Sequence, residues 1–377
     1  MAKNVQYKCP KCGGPLEFDS KTQKLVCPFC DSTYDIAEFE KLDEQLQAQE
    51  ANTGDEGGKA EEEKPAEASF SGEWSTDAGT GWGEGEQESM KVYRCPSCSG
   101  EIIGDANTAA ATCPYCGNQT VMAGQLSGTL KPDMIIPFKK DKNAAVAAFE
   151  QNIQGKKLVP KIFKDRHHID EIKGIYVPFW LFDAQAQADI DYECTTSVMW
   201  HDEDNDYIET SFFEENRHGD ISFDNLPADG SKKMPDDLME SIEPFDYKDA
   251  VDFSAAYLAG YFADKYDVTA EESVGRISER AKNSAISAFQ STVNGYESIR
   301  ASRIHIDIKE SKAKYALLPV WMLNTNWDGQ TYTFAMNGQT GKFIGNLPVD
   351  QSLSRKYFWS IAGIIAVIVF IISSFIL

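Results

Sequence analysis

Two stretches of the chain, residues 175–193 and 316–348, carry the hydrophobic patterns of β-strands. Residues 183–193, DAQAQADIDYE, alternate polar and apolar positions, which is the period of a strand with one buried face. They follow a continuous apolar run at 175–182, IYVPFWLF, and residues 316–348 repeat this arrangement. Both runs contain a P-x-W placement, formed by Pro178, Trp180, Pro319 and Trp321. The pattern predicts two related antiparallel halves of a sheet, with Asp328-Gly329 and Asn337-Gly338 as tight hairpin turns.

Segments with helical periodicity lie between these runs and also before them. Residues 141–153, 247–266 and 271–293 are each predicted to be helical. In the last of these, Thr269 and Glu272 form a capping-box pattern. One face of that helix is apolar, with Val274, Ile277, Ala281, Ala285, Ala288 and Phe289. The sequence therefore predicts an α+β body over 129–350, an antiparallel sheet with helices.

The chain closes with an uncharged apolar segment, residues 358–377. A helix rises about 1.5 Å per residue, so 20 residues would span the roughly 30 Å of a bilayer's hydrocarbon core. Arg355, Lys356, Tyr357 and Trp359 form a basic and aromatic edge that favours a cytoplasmic location for the preceding residues. The expectation is a single C-terminal transmembrane helix and a cell-membrane location, with a buried core helix as the alternative.

An acidic region lies between the N-terminus and the body. From Glu40 to Glu88 there are 15 Asp or Glu and 3 Lys among small residues. Such a composition buries too little apolar area to offset its ordering entropy, so residues 41–90 are predicted to be a disordered linker. The N-terminus shows no signal peptide, so the cysteines are expected to stay reduced.

Eight of the nine cysteines form two sets with identical spacing. Each set is C-x2-C, fourteen residues, then C-x2-C, and the second set lies 86 positions after the first. The spacing is typical of a tetrahedral four-thiolate site, so two zinc ribbons are predicted at 1–40 and 91–128, each with one structural zinc ion. Iron in a rubredoxin-like site is the alternative metal. The predicted ligands are Cys9, Cys12, Cys27, Cys30, Cys95, Cys98, Cys113 and Cys116.

Charge and motif searches argue against several functions. The net charge of −23 and the mixed charges of both ribbons disfavour nucleic-acid binding, because phosphates require a basic face. A complete cysteine shell leaves no coordination position for a substrate or an activated water. No histidine lies in a metalloprotease-type motif, and the adjacent His167 and His168 are interpreted as part of a surface turn. Cys194, the ninth cysteine, is interpreted as a small core residue. No catalytic residues are assigned, and the protein is not expected to be an enzyme.

Motifs along almost the whole chain resemble those of the YdjG-like bacterial zinc-ribbon proteins. These are the two CPxC ribbons around an acidic linker, followed by LSGTLKPDMIIPF, GIYVPFWLFD, AAYLAGYFADKYDVT, LLPVWML and FAMNGQTGKFIGNLP. The resemblance implies a membrane-bound partner for a phage-shock-protein-A-like coat protein in envelope stress defence. It also implies a companion membrane protein, and it transfers only the eight cysteines as site residues.

The leading hypothesis is a tail-anchored adaptor at the cytoplasmic face of the membrane. Two ribbons on a flexible tether could engage an oligomeric partner together and raise the effective concentration. Two alternatives stay open at this point: a membrane-tethered nucleic-acid-binding or transcription-related protein, and a hydrolase whose site lacks a recognisable sequence motif.

Overall fold

The chain folds around one large β-sheet, to which a small three-stranded sheet is added. The computed structural model describes residues 16–27, 32–36, 69–83, 90–105, 113–116, 122–125, 129–201 and 206–376. Within these residues the large sheet has 12 strands. Cys9, Cys12, Cys30 and most of the predicted linker lie outside the described residues.

The strands are β1 Glu17–Asp19, β2 Lys24–Val26, β3 Thr33–Tyr34, β4 Ser69–Ser71, β5 Met90–Arg94, β6 Glu101–Asp105, β7 Met122–Gln125, β8 Met134–Ile135, β9 Lys173–His201, β10 Asp206–Asp229, β11 Val251–Asp252, β12 Phe262–Asp264, β13 Ser298–Trp327, β14 Gln330–Asn337 and β15 Phe343–Gly345. The α-helices are α1 Lys142–Ile153, α2 Arg166–Ile169, α3 Asp236–Ile242, α4 Ala270–Gln290 and α5 Gln351–Ile376. Short 3-10 turns occupy Lys161–Lys164, Tyr247–Asp249 and Ala255–Leu258.

Three very long antiparallel strands form the centre of the large sheet. β9 has 29 residues, β10 has 24 and β13 has 30. β9 lies between the other two, and it carries both apolar patterns seen in the sequence. Its even-numbered residues from Ala184 to Cys194 are buried, whereas the odd-numbered residues face outward. The two P-x-W runs therefore pair directly with each other, Pro319 opposite Tyr176 and Pro178 opposite Leu317.

The hairpin turn at Asp328-Gly329 is confirmed. Both residues have positive φ, 52° and 74°, as a two-residue hairpin between β13 and β14 requires. Asn337 ends β14, and its buried side-chain amide donates to the carbonyl oxygens of Ile242 and Pro244 at 3.1 and 3.2 Å. The second turn dipeptide therefore also joins the sheet to the end of α3.

Helix α4 covers the inward face of the long strands. It begins at the predicted capping box, in which the Thr269 hydroxyl accepts from the Glu272 N–H and the Glu272 carboxylate accepts from the Thr269 N–H. Ile277, Ala281 and Ala285 are fully buried against the sheet. The predicted helices at 141–153 and 271–293 are thus confirmed within a few residues.

The predicted helix at 247–266 is wrong. This stretch forms two 3-10 turns and the short strands β11 and β12. Gly260 has a φ of 83°, a left-handed conformation that ends the helical turn started at Ser254. The residues after it join the sheet, because β12 pairs with both β9 and β6.

The α+β fold class expected from the sequence is contradicted as well. The described residues form mostly β-sheet with few helices. The cause lies in the long strands. Each of β9 and β13 continues through segments that the sequence patterns divide into separate elements. A single strand of 30 residues exceeds the usual length of 3–10 residues several-fold.

The structure also contradicts the predicted transmembrane helix at 358–377 and the cell-membrane location derived from it. Among the side chains that the structure describes, no helix is long and apolar enough to cross a bilayer. In α5 these side chains end at residue 366, and the first turns carry Arg355 and Lys356.

Residues 69–83, within the predicted linker, pack against the body. β4 pairs in parallel with β13, and the Trp74 ring lies 5.8 Å from the ring of Phe182. The Trp74 indole N–H donates to the Ser278 hydroxyl on α4 at 3.1 Å. The two tryptophans of this segment, Trp74 and Trp82, supply apolar area that the average composition of the region conceals.

We expect Trp74→Ala to lower the free energy of unfolding by about 3–5 kcal/mol, because it empties a buried site between the sheet and α4. Urea unfolding of the full chain measures this change. The neighbouring Glu73→Ala, which removes an exposed side chain, is the matched control and is expected to have little effect. Equal effects of the two substitutions would contradict the observed packing.

Candidate metal centre

The second cysteine set is brought together by two turns at one end of the large sheet. Cys95 follows β5, and its N–H donates to the carbonyl oxygen of Gly100 at 2.9 Å, while the Ser99 N–H donates to the Cys95 carbonyl at 2.9 Å. Ser99 has a φ of 56°, which closes the turn. The chain then enters β6, and Cys113 and Cys116 lie in a second turn. The C-x2-C spacing therefore forms two facing knuckles, as the sequence predicts.

The four sulfur atoms have the spacing of a tetrahedral metal site. The Sγ atoms of Cys95, Cys98, Cys113 and Cys116 all lie within 4.8 Å of one another. Across the knuckles, Cys95 Sγ lies 3.5 Å from Cys116 Sγ, and Cys98 Sγ lies 3.6 Å from Cys113 Sγ. Zn–S bonds of about 2.3 Å would place tetrahedral sulfurs about 3.8 Å apart. Because a disulfide requires about 2.05 Å, the pairs are thiols arranged around a common centre.

Burial and mutual repulsion oppose ionisation of these thiols when no cation is bound. Burial raises the pKa of Cys113 and of Cys98. For Cys95, burial is outweighed by backbone N–H groups of Cys98 and Ser97, and the pKa falls to about 7. Four adjacent thiolates repel one another, so a divalent ion is needed to hold all of them deprotonated. The donor set fits zinc.

The site belongs to the large sheet and is not a separate module. β6 pairs with β12 of the body, Ile102 opposite Asp264 and Ile103 opposite Ala263. Tyr115, between the two cysteines of the second knuckle, is buried in the same apolar cluster as Ile175. The boundary predicted between a ribbon at 91–128 and a body at 129–350 is therefore crossed by a continuous sheet.

Side chains of the body hold both knuckles in place. The Asn324 amide donates to the carbonyl oxygens of Pro114 and Tyr115 at 2.9 and 2.7 Å. The Lys233 ammonium donates to the Cys98 carbonyl at 3.0 Å. Sequence reasoning missed both residues. The polar triplet Asn324-Thr325-Asn326 inside an apolar strand was the available signal, because buried polar side chains must find hydrogen-bond partners.

A buried carboxyl group lies beside the second knuckle. Asp264 on β12 is almost completely buried and accepts a short hydrogen bond from the Ser231 hydroxyl. Burial raises the pKa of Asp264 to about 7, against the opposing effect of Ser231. The Tyr115 hydroxyl, also buried, faces the same carboxyl group.

The first cysteine set is described only at Cys27. This residue is buried, and its N–H donates to the Ser32 carbonyl at 2.9 Å. The small sheet β1–β3 around it packs on the body, where the Phe18 N–H donates to the Ala259 carbonyl at 3.0 Å and the rings of Phe18 and Tyr257 lie 5.2 Å apart. The described part of ribbon 1 is therefore docked on the body.

Polar contacts add to this docking. Lys21 Nζ lies 2.5 Å from the carboxylate of Asp141, the residue that caps α1, and lowers the pKa of Asp141. The Gln23 amide donates to the Phe138 carbonyl at 2.8 Å.

His168 takes part in a hydrogen-bonded set that the sequence did not indicate. Its Nδ1 lies 3.0 Å from a carboxylate oxygen of Glu171, and its Nε2 lies 2.7 Å from the Thr325 hydroxyl. The hydroxyl–imidazole–carboxylate order is that of a nucleophilic triad. Thr325, however, is fully buried. The set therefore connects α2 to β13, and a substrate has no access to the hydroxyl. Cys194 lies in the core, as interpreted from the sequence.

We expect Cys113→Ser to lose one zinc ion relative to the unaltered chain, because three thiolates hold zinc less tightly than four. Elemental analysis of the purified full chain measures the metal, and the unaltered protein should contain close to two zinc ions. Cys194→Ala, which removes the cysteine outside both sets, is the matched control and should keep the full content. An iron content in place of zinc would contradict the assignment.

Asp264→Asn is expected to change the pH dependence of stability. An exposed Asp titrates near pH 3.9, so between about pH 4 and pH 7 the native state holds a proton that the unfolded state has lost. The contribution of the protonated carboxyl is complete below about pH 4 and is lost as the pH rises to about 7. At about pH 8 the Asn variant should therefore be more stable by about 1–3 kcal/mol, with a smaller difference near pH 5.5. Urea unfolding at both pH values tests this, and a difference independent of pH would refute it.

Comparisons with known proteins agree with a zinc-binding chain. A family model described as Trm112p-like protein matches residues 8–38, the segment that contains the first cysteine set. Together with the four-cysteine cluster of the second set, this match indicates a zinc-binding protein. The number of ions stays a prediction.

The relationship over the full length is clearer. The chain is 35% identical to the uncharacterized protein YdjG of Bacillus subtilis (strain 168). The 361 aligned residues cover 95% of this chain and 94% of the relative. No solved structure matches the chain significantly. The resemblance seen in the sequence motifs therefore extends through the ribbons and the body alike, and the chain belongs to the YdjG family.

Proposed function

We propose that the protein is a non-enzymatic adaptor that binds other proteins and uses zinc to fix the structure of its ribbons. The observation that carries the proposal is the closed set of four cysteines, Cys95, Cys98, Cys113 and Cys116. A tetrahedral ion held by four thiolates has no position left for a substrate or a water nucleophile. Its contribution is then to stability and shape, and the function belongs to the surfaces that it holds in place.

The surroundings of the second site support a structural ion. Asn324 and Lys233 donate to backbone carbonyl oxygens of the knuckles and to none of the sulfur atoms. These bonds orient the turns from the body side. A metal that holds a turn against a sheet presents a rigid surface to a partner, which lowers the entropy cost of association.

An enzymatic alternative rests on the set of His168, Glu171 and Thr325. Complete burial of Thr325 argues against it, because a nucleophile must reach its substrate. A described cavity of about 300 Å³ borders Asp133 and Lys314. The Asp133 carboxylate there accepts from the backbone N–H groups of Gly79 and Tyr315 at 2.9 and 2.8 Å, a structural role.

A nucleic-acid-binding alternative is disfavoured by charge. The net charge of −23 repels phosphate, and two basic side chains beside the Cys95–Cys98 knuckle are paired with a carboxylate. Arg94 lies 3.7 Å and Lys265 lies 2.9 Å from carboxylate oxygens of Glu101. Binding of this class would weaken steeply as salt is raised, which separates it from protein contact.

The family resemblance suggests a first candidate for the partner, a phage-shock-protein-A-like coat protein. An oligomeric coat presents many copies of one surface. Two ribbons held on one body could engage neighbouring copies and gain affinity through effective concentration.

Crosslinking in the native host followed by mass spectrometry tests the proposal. We expect reproducible crosslinks from the ribbons to a small set of proteins, including the coat protein, and a reduction of about tenfold in the Cys95→Ser/Cys98→Ser variant, because the released knuckle loses its fixed shape. Cys194→Ala is the control and should retain the crosslinks. Crosslinks unaffected by the double substitution, or enrichment of nucleic acid in a salt-sensitive manner, would contradict a zinc-dependent protein adaptor.

A further inference from the structure

β9 and β10 continue beyond the end of their neighbour. The pairing of β13 with β9 starts at Ser298 opposite Thr195. Beyond this point, residues 196–201 of β9 pair only with residues 206–211 of β10 in the part of the chain that the structure describes. We define the distal hairpin as residues 193–201 and 206–214. Two strands alone are marginally stable in water, so an extension of this kind is expected to have a function other than stabilising the fold.

The two faces of β9 and β10 have different environments. Closer to the body, the inward face packs under α4, where Tyr192 donates to the Ile286 carbonyl at 2.9 Å. The outward face of the same region is polar, with Gln185, Gln187, Asp189 and Asp191. This is the usual pattern for an antiparallel sheet with one solvated face.

The outward face of the distal hairpin breaks this pattern. Met199 pairs with Ile208 on that face, and Phe212 follows on the same side of β10. These side chains are 71%, 66% and 79% exposed. Three large apolar side chains thus occupy positions that the period of the strand assigns to polar residues. A local violation of the pattern on an exposed surface is typical of a binding site.

The opposite face of the hairpin also carries exposed apolar side chains, with Val198 62% and Phe213 44% exposed. There the rings of Trp200 and Tyr207 stack at 4.2 Å with an angle of 14° between their planes and so cover each other. The outward stripe of Met199, Ile208 and Phe212 has no such aromatic stacking.

Carboxylates lie at both ends of the outward stripe. Asp206 lies at the distal end. Glu193 pairs with Glu214 at the end nearer the body, where Arg300 of β13 lies opposite Glu193. From 193 to 215 the sequence carries eight Asp or Glu and neither Lys nor Arg. The surface therefore carries apolar side chains on either side of the hydrogen-bonded Ser197–Thr210 pair, and carboxylates at both ends.

We propose that the outward face of the distal hairpin binds an amphipathic helix of a partner protein, with an apolar stripe flanked at both ends by Lys or Arg. The inference rests on the proposed protein-binding function and names the surface used. From Asp206 to Glu214 the face is about 27 Å long at about 3.4 Å per residue, the length of a helix of about 18 residues. Two strands about 4.8 Å apart form a surface that accommodates one helix of about 10 Å diameter.

The charge of the hairpin distinguishes this occupant from two others. An anionic lipid surface would be repelled by the carboxylates. A second copy of the chain would bring the same acidic residues to the contact, and like charges across an interface oppose association. A basic helix satisfies both the apolar stripe and its acidic ends.

A designed peptide of about 18 residues, with Leu on one helix face and Lys at both ends, is the probe. Fluorescence anisotropy with the full chain measures its affinity. We expect Ile208→Thr/Phe212→Thr to lower the affinity at least about tenfold, because the apolar contact is lost, while Val198→Thr on the opposite face changes it less than about twofold. Both variants alter exposed positions and retain β-forming side chains, and zinc content together with circular dichroism checks their folding.

A charge series separates the acidic ends from the general charge of the chain. Glu193→Gln/Asp206→Asn/Glu214→Gln should weaken binding at least about fivefold more than Glu73→Gln/Glu150→Gln/Glu310→Gln, which neutralises three exposed acids elsewhere. Equal losses in the two triple variants, or in the two face variants, would reduce the effect to non-specific attraction and overturn the proposal.

Three further outcomes would also overturn it: no measurable binding of the peptide, association of the chain with itself through the hairpin in light scattering, or binding to phosphatidylglycerol vesicles in place of the peptide. The proposed adaptor function fails separately. If cellular crosslinks depend on Cys95 and Cys98 but never involve residues 193–214, the hairpin inference is wrong and the adaptor proposal stands.

Discussion

The pairing of β9 with β13 is the interaction on which the rest of the structure depends. It runs from Ser298 opposite Thr195 to Met322 opposite Lys173, and both strands bury one face over most of this length. The other described strands of the large sheet attach to these two strands directly or through a series of intermediate strands. β10 and β12 add to β9, whereas β4, β8 and β14 add to β13. A continuous ladder of this length makes the body one cooperative unit, because its local segments share the same backbone bonds.

This constraint changes the interpretation of the ribbons. A zinc ribbon is small and depends on its metal, so its sequence is typical of an independent module on a tether. Here β6 pairs with β12, and the second knuckle receives hydrogen bonds from Asn324 on β13. The described part of the first ribbon packs on residues 255–261. The Cys95–Cys116 site and the described part of the first ribbon are therefore both attached to a single framework.

The same framework explains where binding surfaces are available. From Gln185 to Glu193 of β9 the outward face is polar and the inward face is covered by α4, which leaves little exposed apolar area there. The exception occurs where β13 ends and β9 and β10 continue together. Apolar residues on a solvated face oppose solubility, and their presence at that position is the basis of the proposed partner contact. Buried groups such as Thr325 and Asp264, in contrast, serve the packing of elements distant in sequence.

Local patterns in the sequence were sufficient for α1, for α4 with its capping box, for the Asp328-Gly329 turn and for the spacing of the cysteines, because each depends on residues a few positions apart. The length of the long strands, the turn at Gly260 and the docking of Trp74 were decided by the tertiary structure. Each of these depends on a partner brought from far along the chain: Ser278 for Trp74, β6 for the residues after Gly260, and β9 for β13. Average composition and short-range periodicity carry no information on such partners. The burial that stabilises these long-range contacts exists only after the sheet has formed.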